Sequence, residues 1–253
     1  MHKYTHTETH TSRLSLSSLA RVTMIAMRML KVSTSTSMAR RIQRGGWSLS
    51  VYIWDQSKDL LEEARKTTFI DGVRNGDLDP NFYARYMLQV GLYCREVSRI
   101  WNAVMTTNKE GIDDEIKQFA KQQLVNTQTD KRNIYEGWNV TGIKAGSEVT
   151  KYINSVETSF HEYGPNVLIS TYACAKLWPQ LTCELKQVLE NDLRDRNPYK
   201  VWVDANETFG STARAQAQLM DGHKGFDHEK AHLMFRNAMQ NEIDLFNRGG
   251  KAP

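Results

Sequence analysis

The sequence lacks the features that stabilise small secreted proteins or cross membranes. Its 253 residues include three cysteines, Cys94, Cys174 and Cys183, an odd number without disulfide or zinc-ligand spacing. Free thiols of this kind are typical of a reducing compartment. No window approaches the roughly 20 apolar residues that a membrane-spanning helix requires. We therefore predict that the protein has no membrane partner.

Acidic residues are almost missing from residues 1–50, where eight Lys and Arg side chains accompany Glu8 alone. Ser, Thr, Arg and Met are abundant there, which is typical of an organelle transit peptide. Two interpretations stay open: a disordered basic leader that directs the protein to mitochondria, or a leader that a later start at Met24, Met27, Met29 or Met38 would omit, leaving the protein cytoplasmic. We predict a leader over 1–50, a helical domain over 51–248 and a tail over 249–253.

The net charge of +4 is distributed unevenly along the chain, because the leader carries the positive excess. The residues that follow it are mildly acidic in sum. A phosphate-tracking surface needs clustered Lys and Arg. We therefore expect no nucleic-acid partner.

No segment alternates apolar and polar residues between turn signals, as a half-buried strand would. Apolar residues instead recur at three- and four-residue spacing, which indicates amphipathic helices. The predicted helices cover 54–67, 80–104, 112–125, 149–160, 163–189, 199–205, 208–220 and 228–247. The most regular of them begins at Asp79-Pro80 and has one apolar, strongly aromatic stripe that is predicted to face the core: Tyr83, Tyr86, Met87, Val90, Tyr93, Cys94, Val97, Ile100, Trp101 and Val104. Turn residues within 69–77 are predicted to break the chain, and 126–146 to be a loop with a short turn near 134–138. The fold class is therefore all-α.

The helix predicted over 163–189 carries Cys174 on its buried face, between Thr171 and Trp178. Pro165 is expected at its first position, where its missing amide would lack a partner anyway. Pro179 lies inside the apolar run and would bend the helix. A buried cysteine is most often a small core residue, whereas a kinked buried helix often lines a cavity. The sequence pattern leaves both interpretations open.

Several segments between Trp54 and Phe246 resemble the TenA family (thiaminase II, aminopyrimidine aminohydrolase), which has a haem-oxygenase-like helical fold. Residues 86–93, Tyr-Met-Leu-Gln-Val-Gly-Leu-Tyr, are similar to the family's Tyr-x-x-Gln-Asp-x-x-Tyr, and residues 198–203 to its Pro-Tyr-x-x-Trp-Ile. Residues 69–78 look like its link between the first two helices. The helix with Cys174 and the terminal segment 235–246 complete the resemblance.

The resemblance implies a hydrolase that acts on thiamine or its aminopyrimidine breakdown products, in thiamine salvage or degradation. Cys174 matches the family nucleophile and Glu242 its acid/base residue, which suits addition of a soft thiolate to the ring and protonation of a leaving amine. Aromatic side chains would hold a flat heterocycle by stacking. The substrate-binding residues that it implies are Val90, Tyr93, Tyr152, Trp178 and Tyr199. It implies no metal or other cofactor, and a homotetramer.

The sequence departs from the family pattern at the site itself. Val90 stands where an aspartate is expected, Ala173 where a proline is usual, Trp178 in place of a tyrosine and Asn206 in place of a second tyrosine. A valine side chain cannot form a hydrogen bond with an aminopyrimidine. As an apolar neighbour it would also raise the pKa of the Cys174 thiol. The alternative function is therefore a non-catalytic relative that binds a small aromatic ligand.

Metal chemistry has weaker support in the sequence. His228-Glu-Lys-Ala-His232 fits the zincin pattern, but a third ligand is missing and both imidazoles suit an exposed helix face. A haem oxygenase would need a histidine in its first helix, and no histidine lies between His10 and His161. A di-iron oxidase of the same fold needs clusters on three helices. The pairs His161-Glu162 and Asp227-His228 supply only fragments of them.

Overall fold

A computed structural model describes residues 48–138, 141–192, 197–206 and 210–251, and every regular element within these ranges is a helix, which confirms the all-α prediction. Most of the predicted leader, residues 1–47, lies outside the described residues. The helices are α1 Leu49–Asp55, α2 Lys58–Ala64, α3 Thr68–Asn75, α4 Pro80–Thr106, α5 Asp114–Trp138, α6 Ser147–Glu162, α7 Asn166–Ser170, α8 Tyr172–Asp192, α9 Lys200–Asn206, α10 Gly210–Gly222 and α11 His228–Arg248.

The end of the predicted leader, residues 48–50, belongs to the helical domain. Ser48 caps α1 by accepting a hydrogen bond from the Val51 amide, and its own hydroxyl donates to Asp221 on α10 at 2.9 Å. The Ser50 amide donates to the same carboxylate at 2.8 Å. These bonds satisfy amides that a helix start leaves unpaired. They fix α1 against α10.

The structure differs from the prediction in where the chain breaks between helices, at two places. The helix predicted over 54–67 is divided into α1 and α2, with the buried Ser57 hydroxyl donating to the Ile53 carbonyl at 2.8 Å. The residues predicted to break the chain within 69–77 instead form α3, which ends at Gly76 with φ 73°. Glycine adopts this left-handed conformation at little cost and ends helices. The turn signals there mark a helix end.

Helix α4 begins where the Asp79-Pro80 pair predicts, with the Asp79 carboxylate accepting from the Asn81 amide at 2.9 Å. Its predicted inward stripe is buried throughout: Tyr83, Tyr86, Met87, Val90, Tyr93, Cys94, Val97, Ile100, Trp101 and Val104. Helix α5 packs along it closely, since a Cβ added at Gly91 would lie 2.8 Å from the Tyr135 ring. Gly91 therefore sets the spacing of this helix pair.

The prediction of a loop over 126–146 is wrong for residues 126–138, because α5 continues to Trp138, and it is confirmed for residues 141–146, which form no regular element. The inward face of the second half of α5 carries Asn126, Thr127 and Asp130, which are polar. An apolar pattern cannot reveal a helix whose inward residues are polar. As shown below, these residues line a cavity.

The helix predicted over 163–189 is two helices, α7 and α8, joined at Thr171. The Thr171 hydroxyl donates to the Val167 carbonyl at 2.6 Å and satisfies it where the helix ends. Pro165 was predicted to be the first residue of the helix. It is instead the N-cap residue, so α7 begins one residue later, at Asn166. Pro179 lies inside α8, as the sequence predicts.

Helix α11 is central to the packing, since it contacts α1, α2, α3, α6, α7 and α8. Beside it lies an aromatic cluster around the fully buried Phe69, whose ring centroid is 4.0 Å from that of Tyr86 and 4.9 Å from that of Trp202. Phe246 on α11 stacks on Phe69 at 5.7 Å. The cluster joins α3, α4, α9 and α11. None of the described helices is long and apolar enough to cross a bilayer.

We expect Phe69→Ala to lower the free energy of unfolding by about 3–5 kcal/mol, because it removes the ring on which this cluster is centred. Urea denaturation followed by circular dichroism measures the change. Leu233→Ala is the control, since Leu233 is 66% exposed and should change the same quantity little. Equal effects of the two substitutions would contradict the assigned role of Phe69.

Candidate functional site

A cavity of about 100 Å³ lies between α4, α5, α6, α8, α10 and α11. Its walls are mainly apolar, with Met87, Val90, Val97 and Trp101 on α4 and Leu245 on α11. Polar groups enter from two sides, α5 on one and α6, α8 and α11 on the other. Concave apolar sites with a few convergent polar groups are typical of small-molecule binding.

Glu242 on α11 is 1% exposed and lines this cavity. The Tyr152 hydroxyl donates to its Oε1 at 2.9 Å, and the Trp178 indole N–H donates to its Oε2 at 2.9 Å. The Cys174 thiol lies close enough to act as a third donor that lowers the pKa of Glu242. Burial raises the pKa of Glu242, and the three donors oppose that rise. The site therefore holds a carboxyl group whose affinity for protons is higher than usual.

Cys174 lies near the start of α8, and part of its surface remains accessible. Burial raises the pKa of its thiol well above the usual range, and the charges of Glu242 and Cys94 add to the rise. The thiol is therefore protonated at neutral pH and can donate to Glu242. The structure thus brings the two residues predicted to be catalytic close together at one cavity.

Four of the five predicted binding residues also line the cavity. Tyr93 and Tyr152 pack with ring centroids 4.7 Å apart, and Trp178 holds Glu242 from the other side. Val90 contributes apolar surface only. Trp178 stands where the resemblance expects a tyrosine, and its indole N–H supplies a hydrogen-bond donor.

Tyr199 is the predicted binding residue that the structure does not bring to this cavity. Its hydroxyl donates to the Leu78 carbonyl, and its ring packs 5.1 Å from that of Tyr83. Tyr199 is not among the described residues that line the cavity. Its position ties α9 to the end of α3, so its contacts are structural.

Sequence reasoning missed the polar lining that α5 contributes. Gln123, Asn126, Thr127 and Asp130 follow at spacings of three, one and three residues, which places them on one helical face. Burial raises the pKa of Asp130 to about 7. The helical spacing of these polar residues was the available signal. Cys94, on α4, lines the same cavity and was predicted only as core.

His228 and His232 lie one turn apart on α11, and Tyr52 packs beside both, at 6.5 and 5.7 Å between ring centroids. Over the described ranges, no three His, Cys, Asp or Glu side chains group as they would around a metal ion.

Asp130 makes stability depend on pH. Its pKa rises from an ordinary 3.8 to about 7 on folding, so between these pH values the folded state binds more protons than the unfolded state. Wild-type stability should therefore fall as pH rises from about 4 to 7, at about 1.4 kcal/mol per pKa unit for this group. We expect Asp130→Asn, relative to wild type, to gain on the order of 2–4 kcal/mol by pH 8. Urea denaturation across pH 4–8 measures this, and a pH-independent difference would contradict it.

Comparison with known proteins gives the fold of this chain. No family model and no curated protein matches the sequence. The solved structure of a TenA homologue from P. horikoshii OT3 matches with a TM-score of 0.69 and 11% identity, over 81% of this chain and 100% of the other. A TenA family transcription regulator from Silicibacter sp. TM1040 matches with a TM-score of 0.68 and 13% identity, over 81% and 97%. The chain therefore has the helical, haem-oxygenase-like fold of these TenA proteins, as the sequence predicted.

Proposed function

We propose that this chain is a TenA-type hydrolase that acts on an aminopyrimidine breakdown product of thiamine. The observation that carries the proposal is the proximity of a thiol, Cys174, and a buried carboxyl group, Glu242, in the wall of one cavity. The fold shared with TenA proteins and the sequence resemblance support it. By the same resemblance, the protein would assemble as a homotetramer, which analytical ultracentrifugation tests.

The size of the cavity favours a single-ring substrate. An engineered cavity of about 150 Å³ accepts benzene, and the present one is smaller, at about 100 Å³. A pyrimidine with small substituents suits this space better than thiamine, which carries a second ring. We therefore favour an aminomethyl-pyrimidine over intact thiamine.

The proximity of the thiol and the carboxylate accounts for the chemistry. The Cys174 thiol passes its proton to Glu242 as its sulfur bonds to a ring carbon, and Glu242 gives that proton to the amine that leaves the exocyclic methylene. Water then adds to the methylene: its hydroxyl group bonds to the carbon, its remaining proton passes through Glu242 to the Cys174 sulfur, and the bond between the sulfur and the ring breaks, which restores the thiol. The products are a hydroxymethyl-pyrimidine and ammonia. The Tyr93 and Tyr152 rings would stack on the heterocycle.

We expect Cys174→Ala to abolish ammonia release from aminomethyl-pyrimidine, and Glu242→Gln to lower kcat by about 100-fold or more, because proton transfer is lost. A coupled ammonia assay measures both. Cys183→Ala is the matched control, since this thiol is exposed on the same helix. Hydrolysis that survives Cys174→Ala unchanged would exclude the sulfur as the nucleophile.

One observation favours a second candidate, a protein that binds the pyrimidine without hydrolysing it. Burial and nearby carboxylates raise the pKa of the Cys174 thiol, and Val90 offers no hydrogen bond to the ring. Both features slow thiolate chemistry. Retained binding of the pyrimidine, with no ammonia release from either wild type or Cys174→Ala, would support this candidate.

The charge of the cavity predicts which ligands are rejected. Glu242 and Asp130 line it, and no Lys, Arg or His is among its described lining residues. A buried phosphate would lack a cationic partner and lose its hydration. We expect hydroxymethyl-pyrimidine to bind and its phosphate ester not to bind in isothermal titration calorimetry. Comparable affinity for the ester would contradict this account of the site.

A further inference from the structure

The two carboxyl groups that line the cavity differ in their protein partners. Both oxygens of Glu242 accept hydrogen bonds from side chains, one from Tyr152 and one from Trp178. Asp130 has no hydrogen bond or ion pair with any described residue, and no charged neighbour shifts its pKa. Asp130 is half-buried at the cavity wall. A ligand that enters the cavity would displace water from this carboxyl group, and it must bring donors of its own, because a desolvated carboxylate without them is costly.

Asp130 lies on the face of α5 that lines the cavity. Gln123, Asn126, Thr127 and Asp130 all line it, and Ile134 continues the same face one turn later. Two of the other polar residues are partly occupied: Asn126 accepts from Gln122 at 3.0 Å, and the Thr127 hydroxyl donates to the Gln123 carbonyl at 2.8 Å. Among the four, Asp130 is the one that can carry a negative charge, and no described side chain pairs with it.

The close approach of α4 and α5 holds this face in place. Gly91 lacks a side chain where Tyr135 and Ile134 approach, one turn beyond Asp130 on α5. Val90, next to Gly91, contributes only apolar surface to the same cavity. The hydrogen-bonding partner for a ring in this part of the cavity consequently comes from α5.

We propose that Asp130 is a specificity-determining residue that binds an amino-substituted, basic heterocycle through the amino group and the neighbouring protonated ring nitrogen. Those two groups present parallel N–H donors, which match the two oxygens of a carboxylate. This inference rests on the proposed function only in requiring that the cavity binds a pyrimidine, and it does not require hydrolysis.

The ligand is thereby given an orientation. Its amino group and the neighbouring ring nitrogen face α5, and the ring carbons on the other side of the amino group, including the one that bears the exocyclic methylene, face Cys174 and Glu242 on α8 and α11. A ring carrying methyl in place of amino has the same shape and cannot donate. Asp130 therefore selects amino-substituted rings over isosteres of equal size.

The test uses two unreactive probes, 4-amino-2,5-dimethylpyrimidine and 2,4,5-trimethylpyrimidine, which differ only in amino against methyl and carry no leaving group. Calorimetric titration at pH 8 compares wild type, Asp130→Asn and Asp114→Asn. Asp114 is exposed at the start of the same helix and is the matched control. Thermal unfolding of each variant verifies that it is folded.

We expect wild type and Asp114→Asn to prefer the amino probe by about ten-fold or more, as hydrogen bonds to charged groups suggest. Asp130→Asn should lose most of that preference while its affinity for the trimethyl probe stays unchanged. Equal affinity of wild type for both probes, or an equal loss for both in Asp130→Asn, would overturn the role of Asp130 and leave the proposed function standing. No binding of either probe to wild type would overturn both.

Discussion

The structure depends on keeping a carboxyl group, Glu242, inside an apolar interior. Such a group is stable there only if donors replace the water it has lost. The donors come from two other helices, Tyr152 on α6 and Trp178 on α8, while the Cys174 thiol lies close enough to act as a third. Three helices are thereby fixed around one carboxyl group. The same arrangement places a thiol and a proton acceptor side by side, and the proposed chemistry requires that pairing.

The part of the cavity formed by α4 and α5 differs from the surroundings of Glu242 in how far its polar groups are hydrogen-bonded. There α4 and α5 approach closely over Gly91, and the polar residues of α5 remain partly unsatisfied. Glu242 is thus saturated by the protein, whereas Asp130 is available to a ligand. Perturbed carboxyl groups in a cleft are characteristic of functional sites. Under the proposed function, one cavity combines a reactive part and a recognition part.

Periodicity predicted the helical class and the aromatic stripe of α4. The family resemblance alone pointed to Cys174 and Glu242 as one site, and their catalytic roles stay predictions. Periodicity missed the second half of α5, because the polar residues Asn126, Thr127 and Asp130 interrupt the apolar period. These residues are polar where a core residue would be apolar, and they line the cavity. The division of α7 from α8 depends on a Thr171 hydrogen bond that no spacing reveals. Tyr199 matched a motif, but its side chain points to the Leu78 carbonyl, and direction is set by tertiary packing.

The most direct measurement is a crystal structure of Cys174→Ala with an aminomethyl-pyrimidine bound. The account predicts one pyrimidine ring inside the cavity, beside Tyr93 and Tyr152, with its exocyclic methylene towards position 174 and Glu242 and its amino edge on Asp130. A ring bound elsewhere, with this cavity closed by packing or filled by water alone, would contradict it.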